Sequence, residues 1–171
     1  IGGGSTELIV GRGANIEYSV SIPFGAVLLT ERFIKSHPVV SDDEKNLENE
    51  IDSGIANALE SISKFPINTV LAVAGTPTTL AQIILGGYDD AKINGYSLTL
   101  EKLSKLEAGL KTRSVEQRIT ELGVPKGRAD ILYAGSVLLR KIITAVKLNE
   151  VKVSTRGVRH GIVADYFLSQ H

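Results

Sequence analysis

Thr69-Val70-Leu71-Ala72-Val73-Ala74-Gly75-Thr76 is an apolar run that opens directly into a glycine turn. An unbroken apolar run predicts a strand buried on both faces, as in a parallel sheet flanked by helices. The turn leads into a helix expected over 78–85, which Gly86-Gly87 stops. A strand passing through Gly-Thr into a helix is the building unit of an α/β fold.

Toward the N-terminus the pattern changes. Residues 7–10 predict a strand, Gly11-Arg12-Gly13-Ala14-Asn15 a hairpin turn, and 16–22 a second strand. Along that second strand Ile16, Tyr18, Val20 and Ile22 share one face, while Glu17, Ser19 and Ser21 share the other. Helices follow over 25–36 and from Ser41, where Glu44 three residues later predicts a capping box. Leu47, Ile51, Ile55, Leu59 and Ile62 then mark one apolar helix face.

Toward the C-terminus two more exposed helices are expected over 97–109 and 114–122, and a long one over 125–147. A short strand over 151–154 and a helix over 161–168 close the chain. The order predicts a single α/β domain over 1–171 with a mixed sheet flanked by helices. A glycine loop in such a fold normally follows a buried strand, yet Gly2-Gly3-Gly4 stands at the start. The expectation is therefore a truncated first strand and a chain that continues upstream.

The 171 residues suffice for one domain with a core. Lys plus Arg number 19 and Asp plus Glu number 19, so bulk charge gives no support to binding of nucleic acid or a membrane surface. No apolar run reaches about 18 residues, so no transmembrane helix is expected. With no Cys, disulfides and thiolate chemistry are excluded, which fits a cytoplasmic protein. His37, His160 and His171 are scattered and match no structural zinc pattern.

The chemistry concentrates at two glycine turns. Gly2-Gly3-Gly4-Ser5-Thr6 can present successive N–H groups to an anion, with Ser5 and Thr6 adding hydroxyl donors. Glu7 accepts hydrogen bonds only, so it repels phosphate and suits Mg²⁺ or an attacking water. A three-glycine run by itself is more often a plain turn; the Ser-Thr-Glu that follows argues for the anion site. Ala74-Gly75-Thr76-Pro77-Thr78-Thr79 places N–H groups and hydroxyls at a helix start, where an anion or a simple cap serves equally. Arg128 near the start of the expected long helix opposes the helix dipole and wants a negative partner, either a phosphate or Asp130. Arg156, Arg159 and His160 sit at the last strand–helix turn, where ligands gather in open α/β sheets.

Ile1-Gly2-Gly3-Gly4-Ser5-Thr6-Glu7-Leu8 resembles the signature loop of the exopolyphosphatase and guanosine-pentaphosphate phosphohydrolase (Ppx/GppA) family. Phe24-Gly25-Ala26-Val27, Ala74-Gly75-Thr76, Arg128 through Ala134-Gly135, and 154–161 resemble later family segments in order and spacing. The resemblance implies the actin-like, ribonuclease-H-like ATPase fold, and the second of two such domains around a cleft. It implies phosphate contacts at Gly3, Gly4, Ser5 and Arg128 and a catalytic metal or water partner in Glu7, while Thr6, Gly75 and Thr76 join the expected phosphate-binding residues from their place on the two turns. It implies Mg²⁺ as cofactor, and polyphosphate or guanosine pentaphosphate as substrate. The water-activating Glu is expected on the N-terminal domain, so this segment alone is expected to be inactive. His160 stands where the family usually has Glu, and no role passes to it.

Two other classes share these loops. One is half of an actin-like sugar or acetate kinase, which would need an acceptor site that the sequence does not display. The other is a non-catalytic nucleotide-binding module. Oligomeric state stays open, a homodimer included.

Overall fold

A computed structural model describes residues 1–168, with the side chain of Leu168 excepted; His171 lies outside the described residues. Strands β1 (Thr6–Arg12) and β2 (Asn15–Ile22) form an antiparallel hairpin in which Glu7 faces Ser21 and Thr6 faces Ile22. Gly13, with φ +61°, supplies the left-handed turn between them. Helices α1 (Ala26–Phe33) and α2 (Ser41–Ile62) follow. Then come β3 (Leu71–Ala72), α3 (Gly75–Ile84), α4 (Asp90–Ile93), β4 (Ser97–Thr99), α5 (Leu100–Lys111) and α6 (Val115–Leu122). A 3-10 turn (Lys126–Arg128), α7 (Leu132–Ala145), β5 (Glu150–Val153) and α8 (Val158–Leu168) complete the order.

The second sheet has the order β3-β5-β4, with β3 parallel and β4 antiparallel to β5, so the expected mixed sheet is present. Among the described residues the β1-β2 hairpin and this sheet are separate, and the outer edges of β1 and β3 are unpaired. Helix α7 is the axis of the core. Leu132, Tyr133, Ala134, Val137, Leu138 and Ile143 are all at most 1% exposed, and α1, α2, α3 and α5 pack around them. Leu47, Ile51 and Ile55 are sealed on the inner face of α2, as their spacing predicts.

Four local expectations change. The run 69–74 is not a strand buried on both faces: β3 keeps two residues, and Leu71 on one of its faces is 64% exposed. The capping box at Ser41 is absent, since Ser41 is already helical, Val40 is the cap, and no side chain caps it. Glu44 instead accepts from Lys111 (2.6 Å) and from the Tyr133 hydroxyl (3.0 Å), joining α2 to α5 and α7. The capping box forms at Ser114 with Gln117.

The helix expected from Ser97 starts at Leu100, because 97–99 alternate outward, inward, outward as β4 and Thr99 then caps α5. The helix expected from Pro125 starts at Leu132. Its first turn is a separate 3-10 turn, closed by the Arg128 N–H on the Pro125 carbonyl at 2.8 Å. Buried Arg118 holds the next carbonyls: its Nη1 donates to Ala129 at 2.8 Å and its Nε to Leu110 at 2.7 Å. Arg118 is 0% exposed and forms no ion pair among the described residues, and burial lowers its pKa to about 10 against opposing contributions from Tyr133 and Asp130.

Candidate phosphate-binding site

The glycine loop is built by its neighbours. The Ala26 N–H donates to the Gly2 carbonyl at 2.9 Å. The Gly3 carbonyl takes the N–H groups of Val27 at 3.0 Å and Leu28 at 3.2 Å. These are first-turn donors of α1, which a helix cannot satisfy internally. A trans peptide is planar, with its N–H opposite its C=O. With the carbonyls of Gly2 and Gly3 on α1, the N–H groups of Gly3 and Gly4 point away from it. Neither they nor the Ser5 N–H has a hydrogen-bond partner among the described residues, and Gly3 and Gly4 are exposed. The chain passes so close here that a Cβ at Gly25 would overlap the Gly2 and Gly3 carbonyl oxygens.

The side chains of the loop divide their work. Ser5 donates to Glu7 Oε1 at 2.6 Å, and Ser21 donates to the same oxygen at 3.1 Å. The Ser5 hydroxyl holds the Glu7 carboxyl below its ordinary 4.5; burial, the next largest effect, opposes it, and Ser21 and neighbouring charge add smaller lowering effects. Glu7 is therefore ionised at neutral pH. Its second oxygen, Oε2, has no partner among the described residues. Thr6 differs from expectation: it is 1% exposed and its hydroxyl donates to the Phe24 carbonyl at 2.9 Å, clamping the loop to the entry of α1. That hydroxyl does not face a ligand.

The second turn lies at the start of α3. The N–H groups of Gly75 and Thr76 are first-turn donors without a partner among the described residues. Ala74 before them has φ +75° and ψ −169°, a region that ordinarily only glycine occupies. Thr76 as a whole is 2% exposed and its side chain packs against Gly135 of α7, so its hydroxyl does not face a ligand. The Thr78 hydroxyl returns to the Ala74 carbonyl at 2.9 Å.

Arg128 meets this turn. A Cβ at Gly75 would overlap Nη1, Nη2 and Cζ of Arg128, so the missing side chain makes room for the guanidinium. Arg128 has no ion pair with Asp130 and no other side-chain partner among the described residues. Gly75, Thr76 and Arg128 share one corner. The 3-10 turn, rather than a helix N-terminus, carries Arg128.

Beside Ala74 and Thr78 an open pocket of about 320 Å³ extends to Tyr88, Ser154, Arg159 and His160. Arg156 is engaged with Asp90 at 3.1 Å and His160 at 3.3 Å. A larger pocket of about 410 Å³ between α1 and α2 involves Arg32, Lys35 and Glu50 and touches neither turn. Ser21 and Ala74 were missed by sequence reasoning. Ser21 was findable from the hairpin, because it shares a face with Glu17 and Ser19 and lies opposite Glu7.

N–H groups without a partner among the described residues on two glycine turns, with a guanidinium over one of them, make an arrangement that can accept an anion in an α/β protein. The chain belongs to the Ppx/GppA phosphatase family, whose sequence pattern matches residues 1–170. It is 26% identical over 168 residues to exopolyphosphatase 2 of Mycobacterium tuberculosis, covering 95% of this chain and 52% of that protein. It is 26% identical over 166 residues to the guanosine-5'-triphosphate,3'-diphosphate pyrophosphatase of Vibrio atlanticus, covering 95% of this chain and 32% of that protein. The crystal structure of the Aquifex aeolicus family member superposes with a TM-score of 0.90 at 29% identity, covering 99% of this chain and 55% of that one. The fold is thus the actin-like one expected from the resemblance. The chain spans about half the length, or less, of the curated relatives it matches.

Proposed function

We propose that this chain is the phosphate-gripping half of a hydrolase that removes a terminal phosphate from polyphosphate or guanosine pentaphosphate. One observation carries the reading: the carbonyls of Gly2 and Gly3 are tied to α1, which turns the N–H groups of Gly3 and Gly4 away from it, and neither these nor the Ser5 N–H has a partner among the described residues. Oriented N–H groups of this kind take up charge on phosphate oxygens without reorganising. The N–H group of Gly75 and the Arg128 guanidinium hold the same polyanion from the second turn. Family membership and the curated relatives support the substrate class. The water-activating carboxylate belongs, on this reading, to a domain outside the chain.

Mg²⁺ fits this site in a limited way. Glu7 is ionised and offers Oε2, and among the described residues no group of three or more His, Cys, Asp or Glu side chains surrounds it. Mg²⁺ is commonly held by one or two carboxylates with water and substrate phosphates. When bound it neutralises charge on the phosphate oxygens. Glu7 would hold it, while Ser5 and Ser21 fix the carboxylate.

The test is isothermal titration of the 171-residue chain with tripolyphosphate, alongside phosphate release from polyphosphate and from guanosine pentaphosphate. The expected result is binding that Ser5→Ala weakens, with little or no phosphate release. Absence of binding sinks the site. Turnover matching that of a two-domain relative sinks the assignment of this chain as half of the machinery.

A further inference from the structure

We infer that Gly135, in the middle of α7, is the positioning residue that sets the separation of the two glycine turns. The inference rests on the phosphate-binding reading of those turns. It starts from a close approach on both sides of one helix position. A Cβ at 135 would stand 2.8 Å from Thr76 Oγ1 and 2.9 Å from Thr76 Cγ2, and 3.2 Å from the Ala26 Cβ. Contacts below 3.0 Å force a shift, and both partners here are rigidly placed. Thr76 is 2% exposed in the first turn of α3, and Ala26 is 1% exposed as the first residue of α1.

Each partner leads directly to a turn. The Ala26 N–H holds the Gly2 carbonyl, which orients the Gly3 N–H outward. Thr76 follows Gly75, the residue over which the Arg128 guanidinium lies. Helix α7 is itself immovable on this scale, since Tyr133, Ala134, Ser136, Val137 and Leu138 around Gly135 are all 0% exposed. An added methyl at 135 cannot be absorbed by moving α7, so it drives α1 and α3 apart and carries the two sets of N–H groups with them. Displacements below 1 Å at a binding constellation are enough to lose its geometry.

The experiment uses Gly135→Ala, because Ala is the stronger helix former and keeps α7 helical. The ¹⁵N-labelled protein is titrated with tripolyphosphate and its backbone amides are followed. In the wild type, Gly3, Gly4, Ser5, Gly75 and Thr76 should shift together with one midpoint. In Gly135→Ala the ligand-free amides of both turns should move and the affinity should fall at least tenfold. Gly135→Ala with Thr76→Ala removes the two atoms nearest the new methyl and should recover most of that loss. A folded Gly135→Ala with wild-type affinity overturns the inference, as does a double variant no better than the single one. If Gly135→Ala does not fold, the double variant decides: folding with binding restored supports the inference, and failure to fold overturns it. Should the wild type show no shifts with tripolyphosphate while Gly135→Ala still moves the ligand-free amides of both turns, the phosphate reading fails and the positioning role stands.

Discussion

The guanidinium of Arg128 occupies the space that a side chain at Gly75 would fill. Gly75→Ala should therefore displace Arg128 without disturbing the core, because the end of a flexible side chain moves cheaply. Stability should change by less than about 1 kcal/mol, and tripolyphosphate affinity should fall about tenfold, the worth of one misplaced charge-assisted contact. Urea denaturation and calorimetric titration check the two halves of this statement. Unaltered affinity would remove Arg128 from the site.

Arg118 links α5, α6 and the turn that carries Arg128 through hydrogen bonds to the Leu110 and Ala129 carbonyls. Arg118→Met fills a similar volume but leaves buried carbonyls unmatched. The expected loss is about 3 kcal/mol in urea unfolding, from unsatisfied acceptors at about 1–3 kcal/mol each. A loss under about 0.5 kcal/mol would show that the turn holds without it.

Glu7 is kept ionised by the Ser5 hydroxyl. Glu7→Gln keeps an acceptor for Ser5 and Ser21, so its melting temperature should match the wild type. Any Mg²⁺ dependence of tripolyphosphate binding should disappear in this variant. Titrations with Mg²⁺ and with EDTA compare the two proteins, and a persisting Mg²⁺ effect would move the metal elsewhere.

Burial, and then the nearby Arg118 charge, lower the His37 pKa below its ordinary 6.5, against opposing contributions from Asp130 and Asp43. Its Nδ1 is buried without a partner among the described residues. A depressed histidine favours the neutral form in the folded state. Its stabilising contribution is present above pH 6.5 and is lost as pH falls through the lowered folded value. Chemical denaturation between pH 7.5 and pH 5 should show this decline, and His37→Gln should flatten that part of the profile.

Ala74 holds a backbone conformation that glycine adopts without strain. Ala74→Gly should stabilise the protein by about 1 kcal/mol, strain relief exceeding the added flexibility of the unfolded chain. Thermal melting checks the sign; a destabilised variant would mean that the Ala74 methyl has a packing role.

The sequence made the α/β class and both turns legible because each is written locally. The inner face of α2 shows in the spacing of Leu47, Ile51 and Ile55, and the loops show in their glycines. What could not be read depended on distant partners. Leu71 reads as core, but the face of β3 that carries it is open, leaving it 64% exposed. Glu44 has the spacing of a capping residue, yet Lys111 and Tyr133 take it. Thr6 and Thr76 read as ligand hydroxyls, while tertiary packing places the first on the Phe24 carbonyl and the second beneath the turn. The gap before α7 reflects buried Arg118, ten residues before Arg128, which nothing local announces.

On the proposed reading helix α1 supports a phosphate that it does not touch. Its first N–H groups end on the carbonyls of Gly2 and Gly3, and the N–H groups across those two peptides, those of Gly3 and Gly4, point away from it. The helix macrodipole and these peptide dipoles therefore stand in series, each polarising the next. Charge arriving at the loop is felt along the helix axis, so a substitution in the first turn of α1 that breaks this chain should weaken anion binding without contacting the anion.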